Sequence, residues 1–222
     1  MASPADTTVP TDAASPDSQG LLERLQANRK VLTGAGVAIA LVVLIGWFMV
    51  ESGRRREAAA SGLLESAWSL QDQGNLPQAS TEFQRVIDSY GGTDAAMQAS
   101  LALNQVRLES GQAQIAADAL RAFVAGNPGA EYAAAANRLL GVALENLGQP
   151  AEAAAAYQAA AAQALTGPLK AEALLSAARA WRSAGNPEEA VRALRTILTD
   201  HKDEAVAAEA TVRLAELTKG AM

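Results

Sequence analysis

Cysteine is absent from this chain of 222 residues. Its absence excludes disulfide bonds, thiolate zinc sites, iron–sulfur clusters, cysteine nucleophiles and lipid attachment through an N-terminal cysteine. Histidine occurs once, at His201, so a transition-metal site with several nitrogen or sulfur ligands is not expected. The motifs GxxxxGKS/T, GxGxxG and GxSxG are also missing. The sequence therefore gives no signal for a phosphate-binding loop or an acyl-transfer nucleophile.

Aromatic residues and net positive charge are scarce as well. Phe, Trp and Tyr make up 4% of the chain, whereas 53 residues are alanine. Alanine loses no rotamer freedom in a helix, while a β-sandwich or barrel needs β-branched and aromatic residues, so the composition predicts an all-α fold. The isoelectric point near 4.9 argues against a nucleic-acid partner, because affinity for phosphate backbones depends on clustered Lys and Arg. We predict no cofactor.

One long apolar run, VLTGAGVAIALVVLIGWFMV at residues 31–50, carries no charge. At about 1.5 Å rise per residue it is long enough to cross a hydrocarbon core of roughly 30 Å. We predict a retained transmembrane helix. The alternative is a cleaved signal peptide, whose apolar core is usually shorter, about 7–15 residues. Residues 1–30 are predicted to be a disordered tail and juxtamembrane segment, and residues 51–59 a charged connector.

The residues around and within this run bear on orientation and packing. Three basic residues lie close to each end of the run, so the positive-inside rule does not decide which end is cytoplasmic. Small residues four positions apart would allow close packing against another membrane helix. These residues are Gly34, Gly36, Ala38 and Ala40.

The rest of the chain repeats with a fixed period. Glycines recur every 37 residues, at Gly74, Gly111, Gly148 and Gly185. An alanine follows each glycine by five positions, and a larger apolar residue follows by nine; the larger residues are Phe83, Leu120, Tyr157 and Leu194. Four positions before the glycines stand Leu70, Arg107, Leu144 and Trp181. Glycine permits the left-handed turn that ends a helix, so each unit is predicted to be a helix, a turn and a second helix.

This pattern resembles the tetratricopeptide repeat (TPR) family. That family has a glycine-centred turn, a small residue early in the second helix and a large apolar residue one turn later. The resemblance covers about residues 57–200. It implies a TPR-like α-solenoid of four helix pairs over residues 60–200, with a capping helix at 203–219. Arg107 departs from the pattern, which weakens the second repeat. An alanine-rich bundle without superhelical stacking is the alternative.

In TPR proteins the first helices of the repeats line a concave face, and the resemblance implies a partner-binding groove here. By register, the groove would contain Leu64, Trp68, Gln71, Leu101, Gln105, Leu108, Arg138, Val142, Glu145, Leu175, Arg179 and Arg182. The mixture is apolar with a basic end and suits an extended or helical peptide. The family's carboxylate clamp is not matched, because Leu64 and Trp68 occupy its positions in the first repeat. Some apolar members could instead be core, and Trp68 is the most ambiguous.

No constellation of catalytic residues is evident, and an enzyme is disfavoured. His201 is predicted to lie at a helix end, where a cation suits the helix dipole. Neighbouring carboxylates such as Glu188 and Glu189 begin a predicted helix, where acids are stabilised on the same grounds. We predict no catalytic residue and no metal site.

The layout of tail, single anchor and repeats resembles a bacterial group typified by the YfgM-like ancillary subunit of the SecYEG translocon. That resemblance implies a cytoplasmic N-terminus, a single pass through the inner membrane and a periplasmic repeat domain. It also implies protein partners, namely the translocon and periplasmic chaperones. The function expected is a membrane-anchored scaffold that assists secretion or periplasmic folding. The alternative is an accessory structural subunit of another inner-membrane complex, respiratory or photosynthetic.

Overall fold

The computed structural model describes residues 29–218, with side chains from residue 33 onward except at 35 and 36. These residues form nine α-helices and no strand. The helices are α1 Arg29–Asp72, α2 Leu76–Ser89, α3 Asp94–Glu109, α4 Ala113–Ala125, α5 Ala130–Asn146, α6 Pro150–Gln163, α7 Gly167–Ser183, α8 Pro187–Asp200 and α9 Ala207–Thr218. The predicted all-α fold is confirmed. Residues 1–28 of the predicted tail, and Lys219 of the predicted capping helix, lie outside the described residues.

The described residues divide into two units, one up to residue 54 and the other from residue 55 onward. In the first unit, the apolar side chains from Val37 to Val50 are exposed, with Val42 71% exposed and Trp47 64% exposed. Of the described residues, only those of α1 form a helix long and apolar enough to cross a membrane. The predicted connector, residues 51–59, is helical.

The same turn closes the first helix of each of the four pairs in the second unit. Gly74, Gly111, Gly148 and Gly185 have φ between 71° and 76°, the left-handed conformation that the sequence predicted. At the first turn the N–H of Gly74 donates to the Gln71 carbonyl at 2.8 Å, and the N–H of Asn75 donates to the Leu70 carbonyl at 2.9 Å. The other three turns repeat both bonds, which satisfies carbonyls left unpaired at each helix end.

The apolar core of the second unit consists of successive clusters along the helix pairs. Helices α1 to α3 share one cluster around Phe83 and Val86. A second joins α4 to α7 around Leu120 and Tyr157, and a third joins α7 to α9 around Leu194 and Ile197. Each helix therefore buries its apolar face against neighbours close in sequence, as in a solenoid.

Polar contacts link α1 to the start of α3, and the start of α3 to the start of α5. The carboxylate of Glu57 accepts hydrogen bonds from the backbone N–H groups of Asp94 at 2.8 Å and Ala95 at 2.9 Å. The hydroxyl of Tyr132, in α5, donates to a carboxylate oxygen of Asp94. Glu57 thus supplies an acceptor for two N–H groups at the start of α3 that have no partner within the helix.

Candidate partner-binding groove

The residues predicted for the groove lie on four successive first helices, α1, α3, α5 and α7. Their exposure divides them into three groups. Six are exposed, namely Trp68, Gln105, Arg138, Glu145, Arg179 and Arg182. Four are half-buried, namely Gln71, Leu101, Leu108 and Val142.

Leu64 and Leu175 are the remaining two, and their burial corrects the prediction for these side chains. Leu64 is 2% exposed and belongs to the cluster of α1 to α3. Leu175 is 7% exposed and packs in a cluster with Leu214 of α9. Each side chain stabilises the solenoid from inside, so neither offers apolar surface to a partner.

Trp68, which the sequence left ambiguous, lies at the surface. It is 40% exposed, whereas Leu64, one turn earlier on the same helix, is buried. A tryptophan that keeps this much surface in the free protein can gain further apolar burial when a partner covers it. Leu101, Leu108 and Val142 are only half available, because each also packs against the cluster of α4 to α7.

The basic end of the predicted groove contains two arginines without an acidic partner. Within the described part of the chain, no carboxylate forms a salt bridge with Arg138 or Arg179, and Arg179 donates only to the Ser176 hydroxyl at 3.1 Å. Arg182 differs, since it lies 3.5 Å from a carboxylate oxygen of Glu216. The unpaired guanidiniums retain donors for a carboxylate on another molecule.

Tyr157 and Glu145 connect this basic end to the core. The Tyr157 hydroxyl donates to a carboxylate oxygen of Glu145 at 2.8 Å, and Tyr157 is 2% exposed. Burial raises the pKa of Tyr157 above its ordinary value, and the hydrogen bond to Glu145 adds to that rise, whereas Arg179 and Arg138 lower the pKa. The phenol therefore stays protonated and donates to Glu145, an exposed carboxylate on the same helix as Arg138.

Gly141 is a residue whose importance the sequence reasoning missed. A Cβ at this position would lie within 2.5–2.7 Å of three ring atoms of Tyr157. Glycine therefore lets the α6 aromatic ring pack directly on the α5 backbone. The sequence does contain a signal for this contact. A glycine within a predicted helix is followed sixteen positions later by a tyrosine, at the repeat position where the other repeats have Phe or Leu.

The structure offers few elements of reaction chemistry among the residues it describes. No group of three His, Asp or Glu side chains within residues 29–218 is arranged to hold a metal ion. His201 directly follows α8, as predicted, and its backbone N–H donates to the Ile197 carbonyl at 2.9 Å. Its Nε2 and the Trp181 Nε1 are buried without a hydrogen-bond partner.

The small residues predicted for membrane-helix packing can be placed in part. Gly34, Ala38 and Ala40 are exposed in the first unit, and no atom lies within 4 Å of a Cβ built on Gly34. Gly36 lies among the positions whose side chains are not described. This surface is free for a second helix to approach.

The fold is a repeat solenoid, a class of protein that presents surface for docking. Its marks are left-handed glycine turns at a constant spacing and helix pairs stacked around a row of core clusters. A tetratricopeptide repeat-like domain matches residues 25–137, and a tetratricopeptide repeat model matches residues 139–205. The chain belongs to the tetratricopeptide repeat-like family.

Solved structures support the fold assignment. A kinesin light chain from Podosopora anserina with nearly identical TPR-like repeats is 19% identical at a TM-score of 0.60, covering 74% of this chain and 87% of that one. MamA from Desulfovibrio magneticus is 20% identical at a TM-score of 0.53, over 66% and 77%. A tetratricopeptide repeat protein from Parabacteroides merdae is 15% identical at a TM-score of 0.59, over 73% and 61%. No curated protein sequence matches the chain significantly.

Proposed function

We propose that this protein is a membrane-anchored, non-catalytic scaffold that binds other proteins in the bacterial cell envelope. The observation that carries the proposal is the presence, in one chain, of an exposed apolar helix and a TPR-like repeat domain. TPR domains generally bind protein partners. Attachment to a membrane keeps the repeats near other membrane proteins and raises their effective concentration there.

The extent of the family match supports a functional link between the anchor and the repeats. The match to the tetratricopeptide repeat-like domain starts at residue 25, so it includes the apolar run at 31–50 as well as the first repeats. In this proposal the N-terminus is cytoplasmic and the repeat domain is periplasmic. Protease digestion of intact spheroplasts tests the orientation, since the repeats should be cleaved from outside while the N-terminal tail is protected.

The proposed groove consists of the exposed and half-buried members of the predicted set. Trp68 supplies an aromatic anchor, and Arg138 and Arg179 supply guanidiniums without acidic partners among the described residues. A partner segment with an apolar side chain and a carboxylate fits this combination. The role we favour is assistance to secretion or to periplasmic folding near the translocon.

Site-specific crosslinking in native membranes tests this role. A photoreactive residue replaces Arg179 in the full-length chain, and the control replaces Gln114, which is exposed on the second helix of its pair. Enrichment of a translocon component or envelope chaperone by the Arg179 probe over the Gln114 probe is expected. Equal capture by both probes, or capture of neither class of partner, would contradict the role near the translocon.

An accessory role in another inner-membrane complex is the second proposal, and the exposed small residues favour it. Gly34, Ala38 and Ala40 lie on the first unit and allow close approach of a second helix. A fusion of residues 1–56 to an unrelated soluble domain separates the two proposals. If the fusion alone copurifies with a respiratory or photosynthetic complex, and Ala38→Leu abolishes this, the accessory role holds.

A further inference from the structure

A cleft of about 730 Å³ lies between the first and second repeats, away from the proposed groove. One wall is a stripe along the whole of α2, from Leu76 to Ser89, and the opposite wall is the C-terminal half of α3 with Gln112. At about 1.5 Å per residue the stripe is roughly 20 Å long. At about 3.3 Å per residue, an extended peptide of about six residues spans that length.

Arg107 lies in this cleft, at the position where the other repeats have Leu70, Leu144 and Trp181. Its Nη1 donates to the side-chain oxygen of Asn104 at 3.0 Å. Asn104 is only 3% exposed, and its amide donates to the Ser100 carbonyl at 2.8 Å. A buried polar side chain therefore holds the guanidinium in place, and a fixed orientation reduces the entropy lost when an anion binds.

The charges around the cleft leave Arg107 unneutralised. Within residues 29–218, no carboxylate forms a salt bridge with Arg107. The other cation on the wall, Arg85, is paired with Glu82 at 2.9 Å. The one anion, Asp88, accepts from the Gln84 amide at 2.9 Å. Because α2 and α3 form an antiparallel hairpin, Asp88 lies at the end of the cleft opposite Arg107.

Stability alone does not account for an arginine here. The leucine at the equivalent position of the third repeat is 2% exposed and belongs to the core. At the equivalent site of the second repeat, Arg107 lines an open cleft and places a charge beside buried apolar surface, which opposes folding. Positions that break an otherwise consistent local pattern are expected at functional sites.

We propose that this cleft is a second peptide-binding site, which takes an extended segment with one acidic side chain paired to Arg107. Hydroxyl and amide side chains along the walls, including Ser80, Gln84 and Ser110, provide partners for the backbone of the peptide. Asp88 disfavours a second acid at the far end. The site therefore selects a singly acidic segment over a polyacidic one, and it is distinct from the groove around Arg179.

A peptide array tests the proposal with the full-length chain in detergent. The array carries peptides of about eight residues composed of Ala, Leu, Ser and Thr with a single Glu, each beside its Glu→Gln twin. The best Glu-dependent binder is then measured in solution against wild type, Arg107→Leu, Arg107→Lys, Ser80→Phe, the groove variant Arg179→Leu and the control Arg195→Leu. Thermal unfolding of each variant is followed in parallel.

We expect Arg107→Leu to weaken binding by at least about tenfold, the effect of losing one charge-assisted hydrogen bond, while its melting temperature rises. Arg107→Lys should recover part of the affinity, and Ser80→Phe should block the cleft with the charge intact. Arg195→Leu, at an exposed site on α8 outside both the cleft and the groove, should leave binding unchanged. The proposal is overturned if no peptide binds in a Glu-dependent way, if folded Arg107→Leu binds as wild type does, or if Arg179→Leu removes the binding instead.

Discussion

The second and third repeats have the same turn but different interiors. Gly111 and Gly148 have φ values of 73° and 71°, with the same pair of backbone hydrogen bonds. Inside the pairs, equivalent positions carry different residues, among them Asn104, Arg107 and Leu120 in the second repeat against Gly141, Leu144 and Tyr157 in the third. The second repeat borders an open cleft, whereas Tyr157 of the third is buried directly against the backbone of Gly141.

This difference separates two kinds of information in the sequence. The turn depends on one backbone conformation that glycine adopts without strain, so it is the same whatever the helices bury. The interior depends on complementary side-chain volumes, so one change requires another opposite it. A repeat can therefore keep its place in the solenoid while its interior is altered to make a site.

The largest expected effect comes from adding one methyl group at Gly141. Gly141→Ala places a Cβ on the Tyr157 ring, so we expect a loss of about 1–3 kcal/mol in the free energy of unfolding. Urea unfolding followed by circular dichroism measures it. The matched control is Gly62→Ala, also within a helix but with no atom within 4 Å of the new Cβ, which should gain about 0.5–1 kcal/mol.

A change that makes the interior of the third repeat more like that of the second tests the same contact between residue 141 and the Tyr157 ring. The variant Tyr157→Leu introduces the residue that the second repeat has at Leu120. Combined with Gly141→Ala, it should destabilise by less than the sum of the two single changes, because the smaller side chain leaves room for the methyl group. Strict additivity would mean that the ring contact does not set the requirement for glycine.

The turns should respond equally in both repeats. Gly111→Ala and Gly148→Ala each force a left-handed alanine, which costs about 1–2 kcal/mol. Because the two turns share geometry and no atom lies within 4 Å of either new Cβ, the losses should agree within about 0.5 kcal/mol. Chemical unfolding of the two variants side by side gives the comparison, and a loss confined to one repeat would show that the turns are not equivalent.

The turns could be predicted from sequence because their cause is local, as the φ values at all four glycines confirm. Leu64 and Trp68 illustrate what could not be predicted. They lie one turn apart on α1, yet one is buried and the other is 40% exposed. The difference depends on where α2 and α3 cross α1, which the period does not specify. Leu175 is similar, since its burial depends on α9 packing over it.

The start of the first helix also differs between the two repeats, with a smaller expected effect. Glu57 accepts from two N–H groups of α3, whereas the N-cap of α5, Gly129, provides no side-chain acceptor. Glu57→Ala should cost about 1 kcal/mol. The control Glu65→Ala, at an exposed site on the same helix, should change stability by less than about 0.5 kcal/mol. Equal effects of the two changes would remove the capping role of Glu57.

Tyr157 of the third repeat should make the stability of the protein depend on pH in alkaline solution but not at neutral pH. Burial and the bond to Glu145 raise the pKa of Tyr157 in the folded state above the ordinary value of about 10. Above about pH 10 the unfolded chain loses this proton while the folded chain keeps it, so stability falls as pH rises. Below that pH both states hold the proton and Tyr157 contributes no pH dependence.

Urea midpoints at about pH 9 and about pH 11 measure this fall, on either side of the ordinary tyrosine pKa. Tyr157→Phe should reduce the fall between the two values, because phenylalanine has no proton to lose. Tyr132 needs its own control, because burial and the bond to Asp94 raise its pKa to about 12. Tyr132→Phe should therefore remove a separate part of the loss of stability between the two pH values. If the Tyr157→Phe variant instead loses as much stability as wild type between the two pH values, the interior of the third repeat does not keep the phenol protonated. In that case the two repeats differ in packing alone.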